Sequence, residues 1–151
     1  MKEFLLSVHV VAAILFVGPV AVTASLFPRY APLGSVPSGD ASVVRSLETA
    51  RLLHRITRRY GQLAVLVPVV GLALAVVQGR TSEVWVVVAM VLTAVAGALL
   101  VLQIAPRQDE ALTSPDDGSQ LRQLGMLTGM FNLLWAAVVV LMIVRPGSSS
   151  P

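Results

Sequence analysis

Residues 45–59 read RSLETARLLHRITRR and residues 60–77, directly after them, read YGQLAVLVPVVGLALAVV. The first segment holds Arg45, Arg51, Arg55, Arg58 and Arg59; the second holds no charged residue. A hydrocarbon interior rejects the first and accepts the second, so the chain enters a bilayer near Tyr60 and the arginines stay at its surface. The rest of the chain follows from that boundary.

Three more runs lack Asp, Glu, Lys and Arg: residues 4–26, 84–104 and 124–144. Each of the four runs spans about 30 Å of hydrocarbon as a helix rising about 1.5 Å per residue, the shortest with help from its flanks. No period-two alternation runs through them, and lipid requires backbone groups to pair within their own segment, so helices are expected rather than strands. Composition agrees: 56% of residues are hydrophobic, only 13% are charged and the mean hydropathy is +0.81. A soluble domain carries roughly 25% charged residues. The expected fold is all-α, an integral-membrane four-helix bundle of up-down topology occupying residues 1–145, with a disordered tail at 146–151. The first run has the basic start of a signal peptide, but it exceeds a signal core of about 7–15 residues and ends in Phe27, Pro28, Arg29 and Tyr30, as a retained span does.

Arg29, Arg45, Arg51, Arg55, Arg58, Arg59, Arg107 and Arg122 fall in the two loops after the first and third runs, whereas only Lys2, Arg80 and Arg145 fall on the other side. Positive residues are retained inside, which places loops 27–59 and 105–123 in the cytoplasm and both termini outside a bacterial inner membrane. The net charge of +3 rests on arginines beside lipid-length runs, so the expected partners are the bilayer and its anionic headgroups at Arg45 to Arg59, not nucleic acid. Having no cysteine, the chain has no disulfide, thiolate nucleophile or cysteine-held metal.

Residues 31–40, APLGSVPSGD, read as a flexible turn, after which Asp40 or Ser42 caps a helix. Val43, Val44, Leu47, Ala50, Leu53 and Ile56 then recur at helical spacing between the arginines. This amphipathic helix either lies in the headgroup plane or extends the second span into the cytoplasm, and the second reading is favoured because no proline separates it from Tyr60. Residues 107–123 read as a solvated connector with Pro115 inside it and Pro106 just before it, and 78–83 as a tight link. Pro19 and Pro68 predict kinks, since each leaves a carbonyl four residues earlier, on Leu15 or Ala64, without its usual donor.

Asn132, with Thr128 and Trp135 close by, puts hydrogen-bonding groups in the middle of the fourth span, and Thr93 in the third lies at similar depth. An interhelical bond from Asn132 to Thr93 would set the register of the two helices. Gly125 and Gly129 form a GxxxG, for which two readings stand: packing within one bundle and a contact between two copies. Ala89, Thr93 and Gly97, and Gly71, Ala75 and Gly79, repeat the small-residue pattern. His9 is the single imidazole inside a span, and a neutral imidazole there ligates haem or a metal, or bonds to water or a carbonyl. His54 sits among the arginines at the opposite membrane face.

The opening FLLSVHVVAAILFVGPVAVTASLFPRY, the RLLHRITRRYG lead into the second span and the short turn at 78–83 resemble the bacterial membrane family called domain of unknown function 2269. That family is similar in layout to copper-resistance D-type proteins and to membrane protoporphyrinogen oxidases that carry haem. The resemblance implies a haem-associated or redox-associated role for His9, with Gly18 as the matching glycine. The lysine and further intramembrane histidines of the oxidases have no counterpart here.

No serine–histidine–acid set, intramembrane carboxylate or phosphate loop is present, which favours an accessory, assembly or structural subunit of a larger membrane complex over an enzyme. A haem-binding redox protein using His9 and a small dimeric transporter are the alternatives.

Overall fold

Helix α1 runs from Lys2 to Tyr30 although Pro19 and Pro28 both fall inside it. The chain achieves this by widening one turn. Ala13–Val17 is π-helical, so the hydrogen-bond ladder shifts just before Pro19, whose nitrogen has no proton to give. The same device recurs in α3, Val84–Thr113, where Leu100–Ile104 is π-helical and Pro106 follows two residues later. In α2, Leu47–Gln78, the ladder breaks between Leu63 and Leu66, ahead of Pro68, and the Ala64 carbonyl accepts instead from Val67 N at 3.0 Å. Helix α4, Ser119–Val144, has no proline and no break. The expected kinks at Pro19 and Pro68 therefore take the form of local ladder defects on their N-terminal side.

The structure is a computed structural model and describes residues 1–34 and 46–147. Among these residues all regular structure is helical, in an up-down four-helix bundle. Neighbouring helices are antiparallel: His9 meets Val67 and Thr23 meets Thr57 between α1 and α2, Gly61 meets Leu100 between α2 and α3, and Ser25 meets Asn132 between α1 and α4. Both termini therefore lie at one end, here the terminal end, and the arginine-rich segment at the other, the arginine end.

The four helices contain 29, 32, 30 and 26 residues, each long and apolar enough to cross a membrane. At about 1.5 Å per residue all exceed the roughly 30 Å of hydrocarbon, so their ends project. The outer surface is apolar all round: Phe4 is 70% exposed, Leu133 72% and Ile143 76%. Such a surface would associate in water and is at home only in lipid. This is a multi-pass membrane protein.

The amphipathic segment does extend the second span, as the sequence predicts. Leu47–Leu63 buries Ala50, Leu53, Thr57 and Gly61 against the bundle, and Leu66–Gln78 continues the stripe with Val67, Leu74 and Ala75. The observed cap is Ser46, whose side chain accepts from Thr49 N at 3.3 Å. The expected caps Asp40 and Ser42, with Val43, Val44 and Arg45, lie outside the described residues, as do residues 148–151 of the tail.

Residues 107–123 are not the solvated connector that their composition suggests. Ala105–Thr113 continues α3, with Gln108 and Ala111 buried one turn and two turns beyond Ile104, and only the residues from Ser114 to Gly118 link it to α4. Polar composition and Pro106 point to a loop, but the π turn carries the helix past the proline and one face finds partners on α2 and α4. In the link the Asp116 carboxylate accepts from Ser119 Oγ at 2.6 Å, Gly118 N at 2.8 Å and Gln120 N at 3.0 Å, capping α4, while Gly34 N donates to the Asp116 carbonyl at 2.9 Å. The Ser119 hydroxyl foremost, then the Gln120 amide, holds the Asp116 carboxyl below its ordinary 3.8. A depressed carboxyl pKa means the cap is fully present above the unfolded value and is lost as pH falls through the folded one. A carboxyl-carbon NMR titration should find Asp116 titrating below an ordinary aspartate, and the Asp116→Asn variant should lose the acid-dependent step at the Gly118 and Gln120 amides.

The two ends of the bundle pack differently. Towards the arginine end Val20, Ala24 and Phe27 of α1 meet Ala50 and Leu53 of α2, Leu100 and Ile104 of α3, and Leu124 and Phe131 of α4 in one core. Gly61 allows that closure, because a Cβ there would stand 2.9 Å from the Leu100 side chain. Towards the terminal end the helices separate into two pairs, α1 with α2 and α3 with α4, joined mainly through the turn after Gln78. Gly79, at φ +68°, supplies the left-handed residue that ends α2, and Arg80 N closes the turn on the Ala75 carbonyl at 2.9 Å.

Candidate functional site

The separation of the two helix pairs leaves a cavity of about 640 Å³ in the terminal half of the bundle. Pockets of roughly 300–1,000 Å³ with apolar walls and a few placed polar groups are the usual form of a small-molecule site. The walls here are mostly apolar, built from aliphatic side chains with two tryptophans and two methionines, and His9 is the one imidazole among the lining residues.

His9 is positioned by three features. It is 6% exposed. Its Nδ1 lies 3.0 Å from the Val67 carbonyl, across the α1–α2 contact. A carbonyl can only accept, so Nδ1 carries the proton and Nε2 keeps its lone pair. The ring is seated against Gly71, where a Cβ would come within 2.8 Å of Cε1 and 3.2 Å of Nδ1. A ring nitrogen tied to a backbone carbonyl, with the other left basic, is the arrangement that orients histidine ligands to metals.

Around the imidazole, Met90, Thr93, Trp135 and Met142 line the same cavity. Its rim at the terminal end carries Arg80 and Arg145. Arg80 Nε is 3.6 Å from Glu83, which also accepts from the Trp85 indole, and the Arg145 guanidinium lies 5.7 Å from the centroid of that indole ring. The site thus has an apolar body, one basic nitrogen at depth and two guanidinium groups at the edge. Such a set takes an apolar molecule that offers an electron-pair acceptor to His9 and an anionic group to the rim.

The other polar residues singled out in the sequence do not join this site as a group. Asn132 Nδ2 donates to Ser25 Oγ on α1 at 3.0 Å and not to Thr93, whose hydroxyl donates within its own helix to the Ala89 carbonyl at 2.7 Å. Equal depth suggested the Thr93 pairing, but Asn132 is turned towards α1. A membrane-buried interhelical bond of this kind contributes about 0.6 kcal/mol on average. Thr128 is 2% exposed, and its hydroxyl, the Asn132 carbonyl oxygen and the Trp135 indole nitrogen have no hydrogen-bond partner among the described residues. Gly125 and Gly129 face away from the other helices, and a Cβ on either would meet nothing within 4 Å, so neither serves packing within the bundle. His54 lies at the arginine end, its Nδ1 3.1 Å from Gln108 Oε1.

No family model, curated protein or solved structure matches this chain.

Gly71, Val67, the two methionines and the two rim arginines are among the site residues that sequence reasoning missed. Gly71 falls in the small-residue stripe with Ala75 and Gly79, which reads as helix packing. The better signal was depth: His9 lies seven residues after Lys2 and Gly71 eight before Gly79, so antiparallel helices bring them level.

Proposed function

We propose that this chain is a small accessory subunit of the bacterial inner membrane that holds haem in the cavity of its terminal half, where His9 Nε2 would ligate the iron. The hydrogen bond from His9 Nδ1 to Val67 carries this reading, because it orients the ring and leaves the ligating nitrogen basic. The residues present fit the group. The apolar walls suit the macrocycle, Arg80 and Arg145 supply charge for its carboxylates, and Met90 and Met142 provide thioethers in the same cavity. Haem bound there would supply a one-electron redox centre, while the chain's own part is to bind, orient and exclude water. The absorption spectrum of protein purified after expression with ample haem tests it: a Soret band is expected, and its absence removes the proposal.

The distribution of arginine supports placing the arginine end in the cytoplasm and both termini outside. Alkaline phosphatase fused after Arg145 should therefore be active, and a fluorescent protein that folds only in the cytosol should stay dark at the same position. The opposite pair of results would invert the topology.

A further inference from the structure

The arginine end holds a second cavity, of about 590 Å³, between the Leu47–Leu63 part of α2 and the Ala105–Thr113 end of α3. Arg51, Arg55, Arg58 and Arg59 line it. Their spacing puts all four on one helix face, where like charges one turn apart repel. None forms an ion pair; among the described residues the ion pairs are His54–Asp109 and Arg80–Glu83. Asp109, the acid lining the cavity, is 3.8 Å from His54 Nε2, and the ring is held from its other nitrogen by the fully buried Gln108. The one carboxylate of the lining thus faces four guanidinium groups and pairs with none of them, so positive charge exceeds negative in the cavity.

We propose that this cavity binds a phosphate-bearing anion. Guanidinium forks match phosphate oxygens two at a time, and an anion held among four of them relieves their mutual repulsion. Depth brings membrane phosphates within reach. Helix α2 is about 48 Å long against roughly 30 Å of hydrocarbon, and Arg58 and Arg59 immediately precede Tyr60 at the predicted lipid boundary. The phosphate comes either from an anionic lipid or from a soluble phosphate. This site does not depend on the haem assignment.

The test is native mass spectrometry on the full chain, released from detergent and titrated with phosphatidylglycerol, phosphatidylcholine and inorganic pyrophosphate, each alone and phosphatidylglycerol together with pyrophosphate. Wild-type protein should retain phosphatidylglycerol or pyrophosphate over phosphatidylcholine. Each arginine near such a surface is worth about fivefold in affinity, so R55Q/R58Q should bind on the order of 30-fold more weakly. R107Q/R122Q removes the same charge at the same end from residues that do not line the cavity, and should bind as wild type does. Preference for phosphatidylglycerol identifies the lipid as the source, and competition by pyrophosphate at matched concentration identifies the soluble anion. Equal loss in both double variants, each eluting as a single species, would show diffuse surface attraction and overturn the site. So would failure of the wild-type protein to discriminate among the three ligands.

Discussion

His9→Ala protein is expected to elute normally from detergent but to lose the Soret band, with haem affinity reduced 100-fold or more. The substitution removes Nε2 from the cavity and leaves the Val67 carbonyl inside its own helix, so the bundle loses one hydrogen bond and the ring's contact with Gly71. A net bond of this kind contributes about 1 kcal/mol, far less than the loss of an axial ligand. Free imidazole added to the variant should restore much of the band by entering the space the side chain vacates. A variant that keeps its spectrum unchanged would remove His9 from the site. Loss without imidazole rescue would point to a collapsed cavity instead.

The second large effect is expected at a residue with no polar atom in its side chain. Gly71→Ala places a Cβ 2.8 Å from His9 Cε1, closer than carbon atoms pack, so the ring must swing off the Val67 carbonyl. Displacing the group that orients a metal-ligating histidine costs about 10–100-fold in affinity. Gly71→Ala should therefore weaken haem by that factor and shift the band position while His9 itself is intact. Gly97→Ala, where a Cβ meets nothing within 4 Å, is the matched control and should leave the spectrum unchanged. If both glycine variants behave alike, the close approach at Gly71 has no part in binding.

The four spans were legible because hydrophobic length and charge exclusion are local properties of the sequence, and the projecting segment before Tyr60 was legible because its apolar stripe and its arginines alternate at helical spacing. Local composition misled at residues 105–123, where Pro106 and a polar run suggest a loop, because the compensating π turn at Leu100–Ile104 has no sequence signature of its own. Asn132 was recognised as needing a partner, but its rotation about the helix axis depends on how α4 packs, which depth alone does not fix. His9 stood out as an ionisable group in a span. Its support did not, because the Val67 carbonyl and the Gly71 backbone are chemically silent in a sequence and reach the imidazole only when α1 and α2 pair.

Lys2 and Arg145 sit at the same end of the bundle as the His9 cavity, and Arg145 forms part of its rim. An oligohistidine purification handle fused to either terminus would hang a flexible string of extra imidazoles over the opening, at effective concentrations reaching millimolar. Those imidazoles would compete with His9 for haem and give a similar absorption band, so a handle free of nitrogen donors, or one cleaved before spectroscopy, is the sound choice for testing the proposed site.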